Sequence, residues 1–136
     1  MADDRTVLVV VDAANVVGSR PDGWWRDRAG AARRLLAELA TFEQRLDQPA
    51  EVVVVLEGAA KAAVTGATSA EFEGLQVVSA DSSGDDAIVD VVAAAAEADG
   101  DRPIIVVTAD QGLRNRVEAL GAHTFGPRWL LAHIDS

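Results

Sequence analysis

The chain has 136 residues, a net charge of −10 and no cysteine, and its length suits one domain with its own core, so we predict a single domain over residues 1–136. The lack of cysteine excludes disulfides and thiolate metal sites and favours a cytoplasmic protein, and no apolar run approaches the roughly 20 residues of a membrane-spanning helix. The acidic balance argues against tight passive binding of nucleic acid, but it leaves room for a basic patch beside an acidic, metal-charged centre.

Four short apolar segments predict buried β-strands. Three of them, at 6–11, 51–56 and 103–108, are almost continuous runs of apolar, mainly β-branched residues without polar alternation. This pattern is typical of strands that are covered on both faces, as in a parallel sheet. Another strand is predicted at 75–80, and a brief apolar piece at 122–125 is a candidate for a fifth.

Helical patterns lie between these strands and after them. The segments with helical periodicity or helix-end signals are 25–46, 59–65, 87–98, 111–121 and 127–134. Because strands and helices alternate with short connections, we predict an α/β fold, a Rossmann-like three-layer sandwich with a mostly parallel central sheet of four to five strands.

Acidic residues follow each of the four main strands. In chain order they are Asp12, Glu57, the group Asp81, Asp85 and Asp86, and finally Asp110. Because right-handed crossovers bring the carboxyl ends of parallel strands to one edge of the sheet, these carboxylates should meet there. Mg²⁺ or Mn²⁺ would remove their mutual repulsion, and such an ion can activate water against a phosphodiester. The spacing therefore predicts a divalent metal centre.

Three segments resemble, in order, the motifs of a known family. Residues 9–18, VVVDAANVVG, are similar to the opening D-G-x-N motif of the NYN domains, a branch of the PIN-like nuclease superfamily with YacP-like relatives. Residues 82–90, SSGDDAIVD, resemble the central acidic motif of that family. Residues 106–122 resemble its T/S-x-D strand end with the helix and glycine that follow. The resemblance implies a PIN-like fold and a Mg²⁺- or Mn²⁺-dependent ribonuclease centre, and the RNA that it acts on is predicted to be single-stranded or structured.

The resemblance also implies roles for single residues. It makes four carboxylates the metal ligands and catalytic residues, namely Asp12, Asp85, Asp86 and Asp110. Asn15 would orient the first of them or a phosphate, and Thr108 would be a polar neighbour of the metal. Two positions depart from the family pattern: Ala13 replaces the usual Gly, and Glu57 stands where many relatives carry Asp.

The segment 18–28 follows the first strand and joins a tryptophan pair to several arginines, so it should hang over the predicted site. A tryptophan can stack on a base and an arginine can contact a phosphate, so we predict that this segment binds substrate through Arg20, Trp24 and Arg26. Arg114, one turn after the last acidic position, is a further candidate for phosphate contact. The alternative is structural: Trp25 packs beneath the first long helix, and the arginines pair with neighbouring aspartates.

The acidic residues have structural alternatives too. Asp12 and Asn15 could cap a turn, Asp110 could be the N-cap of a helix, and Ser83 with Asp86 has capping-box spacing. A capping role and a functional role can hold together at one residue.

The sequence favours a metal-dependent endoribonuclease in which activated water attacks an RNA phosphodiester in line. The acidic surface and Ala13 also suit a catalytically silent PIN-like module that binds protein or nucleic acid. The scarcity of basic residues would suit a small-nucleotide phosphohydrolase. The apolar strand at 75–78 and Trp129 could support a homodimer.

Overall fold

The computed structural model describes residues 7–19, 23–45, 50–57, 75–80, 84–98 and 100–135. Its strands are β1 (Val7–Asp12), β2 (Ala50–Leu56), β3 (Leu75–Ser79), β4 (Ile104–Val107) and β5 (His123–Phe125). All neighbours pair in parallel, in the order β3-β2-β1-β4-β5. The predicted α/β fold and the fifth strand are confirmed, and within the described residues the sheet is parallel throughout.

The helices are α1 (Ala13–Gly18), α2 (Arg28–Arg45), α3 (Gly84–Ala98), α4 (Gln111–Glu118) and α5 (Pro127–Asp135), with a 3₁₀ turn at Trp24–Arg26. Two helix starts differ from the prediction. The long helix begins at Arg28 rather than Trp25, since the Asp27 carboxylate accepts the N–H of Gly30 and starts the helix there. The third begins three residues earlier than predicted, at Gly84. The helix predicted at 59–65 lies outside the described residues.

The sheet is covered on both faces, which explains why its central strands carry no polar alternation. Val9 and Val11 of β1 pack against α1, α2 and α5, whereas Leu8 and Val10 pack against α3 and α4. The central strands thus contribute alternate side chains to two separate apolar layers. By the same alternation, Asp12 continues the row of Leu8 and Val10, on the face of α3 and α4.

The strand order reverses at β1, because β2 lies on one side of it and β4 on the other. The helix that follows β1 packs on one face of the sheet, and the helix that follows β4 packs on the opposite face. A crevice therefore opens between the carboxyl ends of these two strands, which is where open α/β sheets bind ligands.

No helix in the described part of the chain combines the length and apolarity needed to cross a membrane. The cytoplasmic location and the single-domain organisation stay predictions.

The α3 layer gives a direct test of this packing. Ile88 is fully buried against the sheet, so Ile88→Ala should lower the free energy of unfolding by about 2–5 kcal/mol, through lost burial and the cavity that remains. Urea unfolding measures the loss. Asp90→Ala, at an exposed position of the same helix, should stay within about 0.5 kcal/mol of the wild type. Equal stability of the two variants would contradict the packing described.

Candidate active site

Asp12 lies at the end of β1 and is nearly buried, with 7 % of its surface exposed. It is also the N-cap of α1, since its Oδ1 accepts a hydrogen bond from the Asn15 backbone N–H at 3.4 Å. Its Oδ2 accepts the Thr108 hydroxyl at 2.9 Å. The capping role and the position at the mouth of the sheet therefore coexist in this residue.

Thr108 joins the two strand ends that form the crevice. Its side chain is fully buried, and its hydroxyl donates to Asp12 while accepting the Asp110 backbone N–H at 3.1 Å. Asp110 is the N-cap of α4, where its Oδ1 accepts the N–H of Leu113 at 3.1 Å. One hydroxyl thus links the end of β1 to the start of α4.

Asn15 makes a second link across the same crevice. Its side-chain Oδ1 accepts the backbone N–H of Ala109 at 2.9 Å. Because its own backbone N–H binds Asp12, this residue holds both the carboxylate and the segment after β4. Asn15 therefore contacts both Asp12 and the segment after β4, and its role in orienting Asp12 or a phosphate stays a prediction.

Glu57 fixes the start of α3 at the end of β2. Its carboxylate accepts the backbone N–H of Gly84, the first residue of that helix. A Cβ at position 84 would lie 2.7 Å from Glu57 Oε2, so any larger residue there would push the Glu57 carboxylate aside. The contact secures the helix turn that carries Asp85.

These carboxylates interact electrostatically. Burial first, and then the charges of Asp85 and Glu57, raise the pKa of Asp12 to about 6, although its hydrogen bonds from Thr108 and Asn15 lower it. Burial, followed by the charges of Asp110 and Glu57, also raises the pKa of Asp85. We call these four residues, Asp12, Glu57, Asp85 and Asp110, the acidic cluster.

Asp86 is placed differently from the other predicted ligands. Its side chain is exposed, and its Oδ1 forms a salt bridge with Arg116 Nη2 at 3.0 Å. The pair joins α3 to α4. Asp86 is also the last and smallest of the causes that raise the pKa of Asp85.

The predicted RNA-binding residues fall into two groups. Arg114 lies beside the crevice, where its Nε donates to the Thr108 carbonyl at 2.9 Å and its Nη2 lies near Gly126. Arg26 is exposed and sits 6.0 Å from the ring centroid of Trp25, a side chain that is itself 56 % exposed. Arg20 and the side chain of Trp24 lie outside the described residues.

The donor chemistry of the acidic cluster fits a hard divalent cation, because carboxylate oxygens are the ligands that Mg²⁺ and Mn²⁺ prefer. Burial and like charges oppose ionisation of Asp12, and a cation would remove that conflict. Within the described ranges, no three His, Asp or Glu side chains form a group that could hold a metal ion. Asp12 and Asp85, whose charge raises the pKa of Asp12, are the residues that could hold a cation together with waters, since Mg²⁺ is commonly bound through one or two carboxylates.

Sequence reasoning missed two features of the site. It predicted neither α1 nor the capping of α3 by Glu57. The signal for α1 was the spacing of Asp12 and Asn15, which suits an N-cap and the third residue after it. The signal for the contact between Glu57 and α3 was Gly84, which lies at the start of a strongly helical run. A glycine there leaves room for another group to approach the backbone closely.

The Thr108 link gives one prediction. Thr108→Val keeps the shape of the side chain but removes the hydroxyl, so Asp12 Oδ2 loses the hydrogen bond that it accepts and the Asp110 N–H loses its acceptor, while Asp12 Oδ1 keeps the Asn15 N–H. Urea unfolding should show a loss of about 1–3 kcal/mol. Thr41→Val makes the same chemical change at an exposed position and should cost less than about 0.5 kcal/mol. If Thr108→Val leaves the free energy of unfolding unchanged, the hydroxyl does not support the site.

The raised pKa of Asp12 gives a second prediction. The folded state holds this proton up to a pH of about 6, against an ordinary pKa of 3.8, so its contribution to stability is complete below pH 3.8 and is lost as the pH rises through 6. Without divalent metal, Asp12→Asn should therefore have a free energy of unfolding up to about 3 kcal/mol higher than that of the wild type at pH 8. At pH 3.5 the two proteins should be nearly equally stable.

Thermal or urea unfolding at the two pH values measures this difference. Asp90→Asn, the same change at an exposed position, serves as the control and should show little dependence on pH. A constant stability difference between Asp12→Asn and the wild type across this range would contradict the proposed burial of charge.

Comparison with known proteins places this site in a family. A family model described as "YacP-like NYN domain" matches residues 8–136. The fold is similar to the crystal structure of Rae1 (YacP) from Bacillus subtilis, with a TM-score of 0.74, 18% sequence identity and coverage of 94% of this chain and 73% of that one. A point mutant of the same protein gives a TM-score of 0.76 and 18% identity, with coverage of 96% and 76%.

No curated protein sequence matches the chain significantly. The family match nevertheless covers the five strands, except for Val7 at the start of β1, and the whole acidic cluster. The chain belongs to the YacP-like NYN domain family.

Proposed function

We propose that this protein is a metal-dependent endoribonuclease that hydrolyses RNA phosphodiester bonds at the acidic cluster, with Mg²⁺ or Mn²⁺ as its cofactor. The observation that carries the proposal is Asp12, a nearly buried carboxylate that is kept at the strand-order reversal among other acidic groups. Membership of the YacP-like NYN family supports a nuclease-type function related to RNA.

The acidic cluster would bind the cation. Asp12 and Asp85 would hold the cation, with Asp110 beside them. When bound, such a cation activates water and neutralises charge on the phosphate. Thr108 and Asn15 keep the Asp12 carboxylate in one orientation, so that little reorganisation is needed when substrate binds.

Asp86 has a separate place in this proposal. Its carboxylate is engaged by Arg116, so we assign it to the joint between α3 and α4 rather than to the cation. This joint would keep the neighbouring Asp85 in position. Arg114, anchored on the Thr108 carbonyl, is well placed to contact a phosphate beside the cluster.

RNA is the substrate that we propose, and Arg26 with the exposed Trp25 offers a stacking and phosphate-binding pair outside the cluster. The net charge of −10 makes general attraction of a polyanion weak, so binding would depend on these local contacts and on the cation. Roles for Arg20 and Trp24 in binding RNA, and a homodimer, stay predictions.

A second candidate is a binding module of the same fold that does not cleave. It is favoured by one observation: within the part of the chain that the structure describes, no three acidic or histidine side chains are grouped to hold an ion. The two candidates differ in whether Mn²⁺ binds and in what it does to RNA.

A cleavage assay with Mn²⁺ separates them. The wild type should cut a labelled single-stranded RNA internally, and Asp12→Asn and Asp85→Asn should each slow cleavage by a factor on the order of 100, because each removes charge from the cluster. Asp90→Asn removes the same charge from an exposed position of α3 and should cleave at the wild-type rate.

Calorimetric titration with Mn²⁺ completes the test. Binding by the wild type that Asp12→Asn abolishes would support the metal centre independently of the choice of RNA. A wild type that neither binds Mn²⁺ nor cleaves RNA would refute the nuclease and leave the non-cleaving module.

A further inference from the structure

A pocket of about 580 Å³ opens beside the acidic cluster, on the opposite side of the β1 and β4 ends. Its lining includes Ala14, Asn15 and Ser19 from α1 and its end, Ala109 after β4, and Gly126 and Arg128 at the start of α5. This is the crevice created where the strand order reverses. We call it the switch-point pocket.

The pocket and the acidic cluster share one wall. Asn15 lines the pocket, while its backbone N–H binds Asp12 and its side-chain Oδ1 accepts the N–H of Ala109, a second lining residue. Since the amide oxygen is used in this way, the NH₂ group is the part of the Asn15 side chain that can donate to a ligand. A ligand in the pocket would therefore lie next to whatever binds at Asp12.

The charge of the pocket contrasts with that of the chain. Among the described residues that line it, none is acidic, and Arg128 is the one charged side chain, although the whole chain carries a net charge of −10. Arg114 also approaches this region, since its Nη2 lies near Gly126. An anionic ligand thus has a cationic rim here, a short way from the carboxylates.

The size and the lining residues of the pocket limit the class of ligand further. Its volume lies in the range of roughly 300–1,000 Å³ that small-molecule sites occupy. Small side chains such as Ala14, Ser19 and Gly126 leave room for a flat ring close to the backbone. A single nucleotide has this combination of a flat base and an anionic phosphate.

We propose that the switch-point pocket receives one unpaired nucleotide of the RNA strand, adjacent to the phosphodiester at the acidic cluster, with Arg128 contacting its phosphate. This inference rests on the proposed nuclease function. A base that is stacked and paired in a duplex cannot enter such a pocket without extrusion, so the pocket selects single-stranded RNA.

Filling the pocket tests the proposal. Ala14 is an exposed residue of α1 that lines it, and Ala14→Leu places three more carbon atoms in the space. The matched control is Ala94→Leu, at an exposed position of α3 on the other face of the sheet. Both changes are made in the Asp12→Asn background, so that RNA binding is measured without cleavage.

Fluorescence anisotropy with a labelled RNA oligonucleotide gives the readout. Single-stranded RNA should bind at least about tenfold more tightly than the same strand in a duplex, and Ala14→Leu should remove about that factor while Ala94→Leu changes nothing. Arg128→Ala, a change at an exposed position, should weaken binding several-fold, and the slope of log affinity against log salt concentration should fall by about one phosphate contact. Arg33→Ala, at an exposed position of α2, controls for loss of positive charge.

Three outcomes would overturn the proposal. The first is equal affinity for duplex and single-stranded RNA, and the second is an RNA affinity that neither Ala14→Leu nor Arg128→Ala changes. The third is displacement of the labelled RNA by adenosine monophosphate at the same concentration as by the unlabelled oligonucleotide. The last would indicate a mononucleotide site. Unchanged RNA affinity in both Ala14→Leu and Arg128→Ala, in a protein whose wild type cleaves RNA, would refute the pocket and leave the nuclease standing. RNA binding that Ala14→Leu weakens, in a protein that cleaves no RNA with Mn²⁺, would refute the nuclease alone.

Discussion

The hydrogen bond from the Thr108 hydroxyl to Asp12 is the contact on which the candidate site depends. It joins the ends of β1 and β4, the two strands between which the sheet order reverses, and both of its residues are buried. Through the same hydroxyl, the Asp110 N–H and the start of α4 are fixed as well. This hydroxyl thereby holds the Asp12 carboxylate at the mouth of the sheet.

This arrangement costs stability. Burial and the neighbouring charges of Asp85 and Glu57 make ionisation of Asp12 unfavourable, and its hydrogen bonds offset only part of that cost. A buried charge that destabilises the fold is expected at a site where the protein binds a ligand that neutralises the charge. The same crevice opens on its other side into the switch-point pocket, so an anionic strand could meet a cation at the acidic cluster and Arg128 at the pocket rim.

Much of the fold could be predicted, because the β-branched runs at 51–56 and 103–108 report directly on strands that are covered on both faces. The position of Asp12 followed from its place directly after such a run. The Asp86 salt bridge to Arg116 could not be predicted, because it depends on how α3 packs against α4. The pocket could not be predicted either, since its lining comes from two parts of the chain, residues 14–19 and 109–128, that only the folded chain brings together.

Carboxyl-carbon NMR of Asp12, titrated with and without Mg²⁺, tests most directly whether the fold keeps a charge that a cation is needed to stabilise. The pKa should be about 6 in the absence of divalent metal, well above the ordinary 3.8, and it should fall when Mg²⁺ saturates the site. A pKa near 3.8 that Mg²⁺ does not change would contradict both the buried charge and the proposed metal centre.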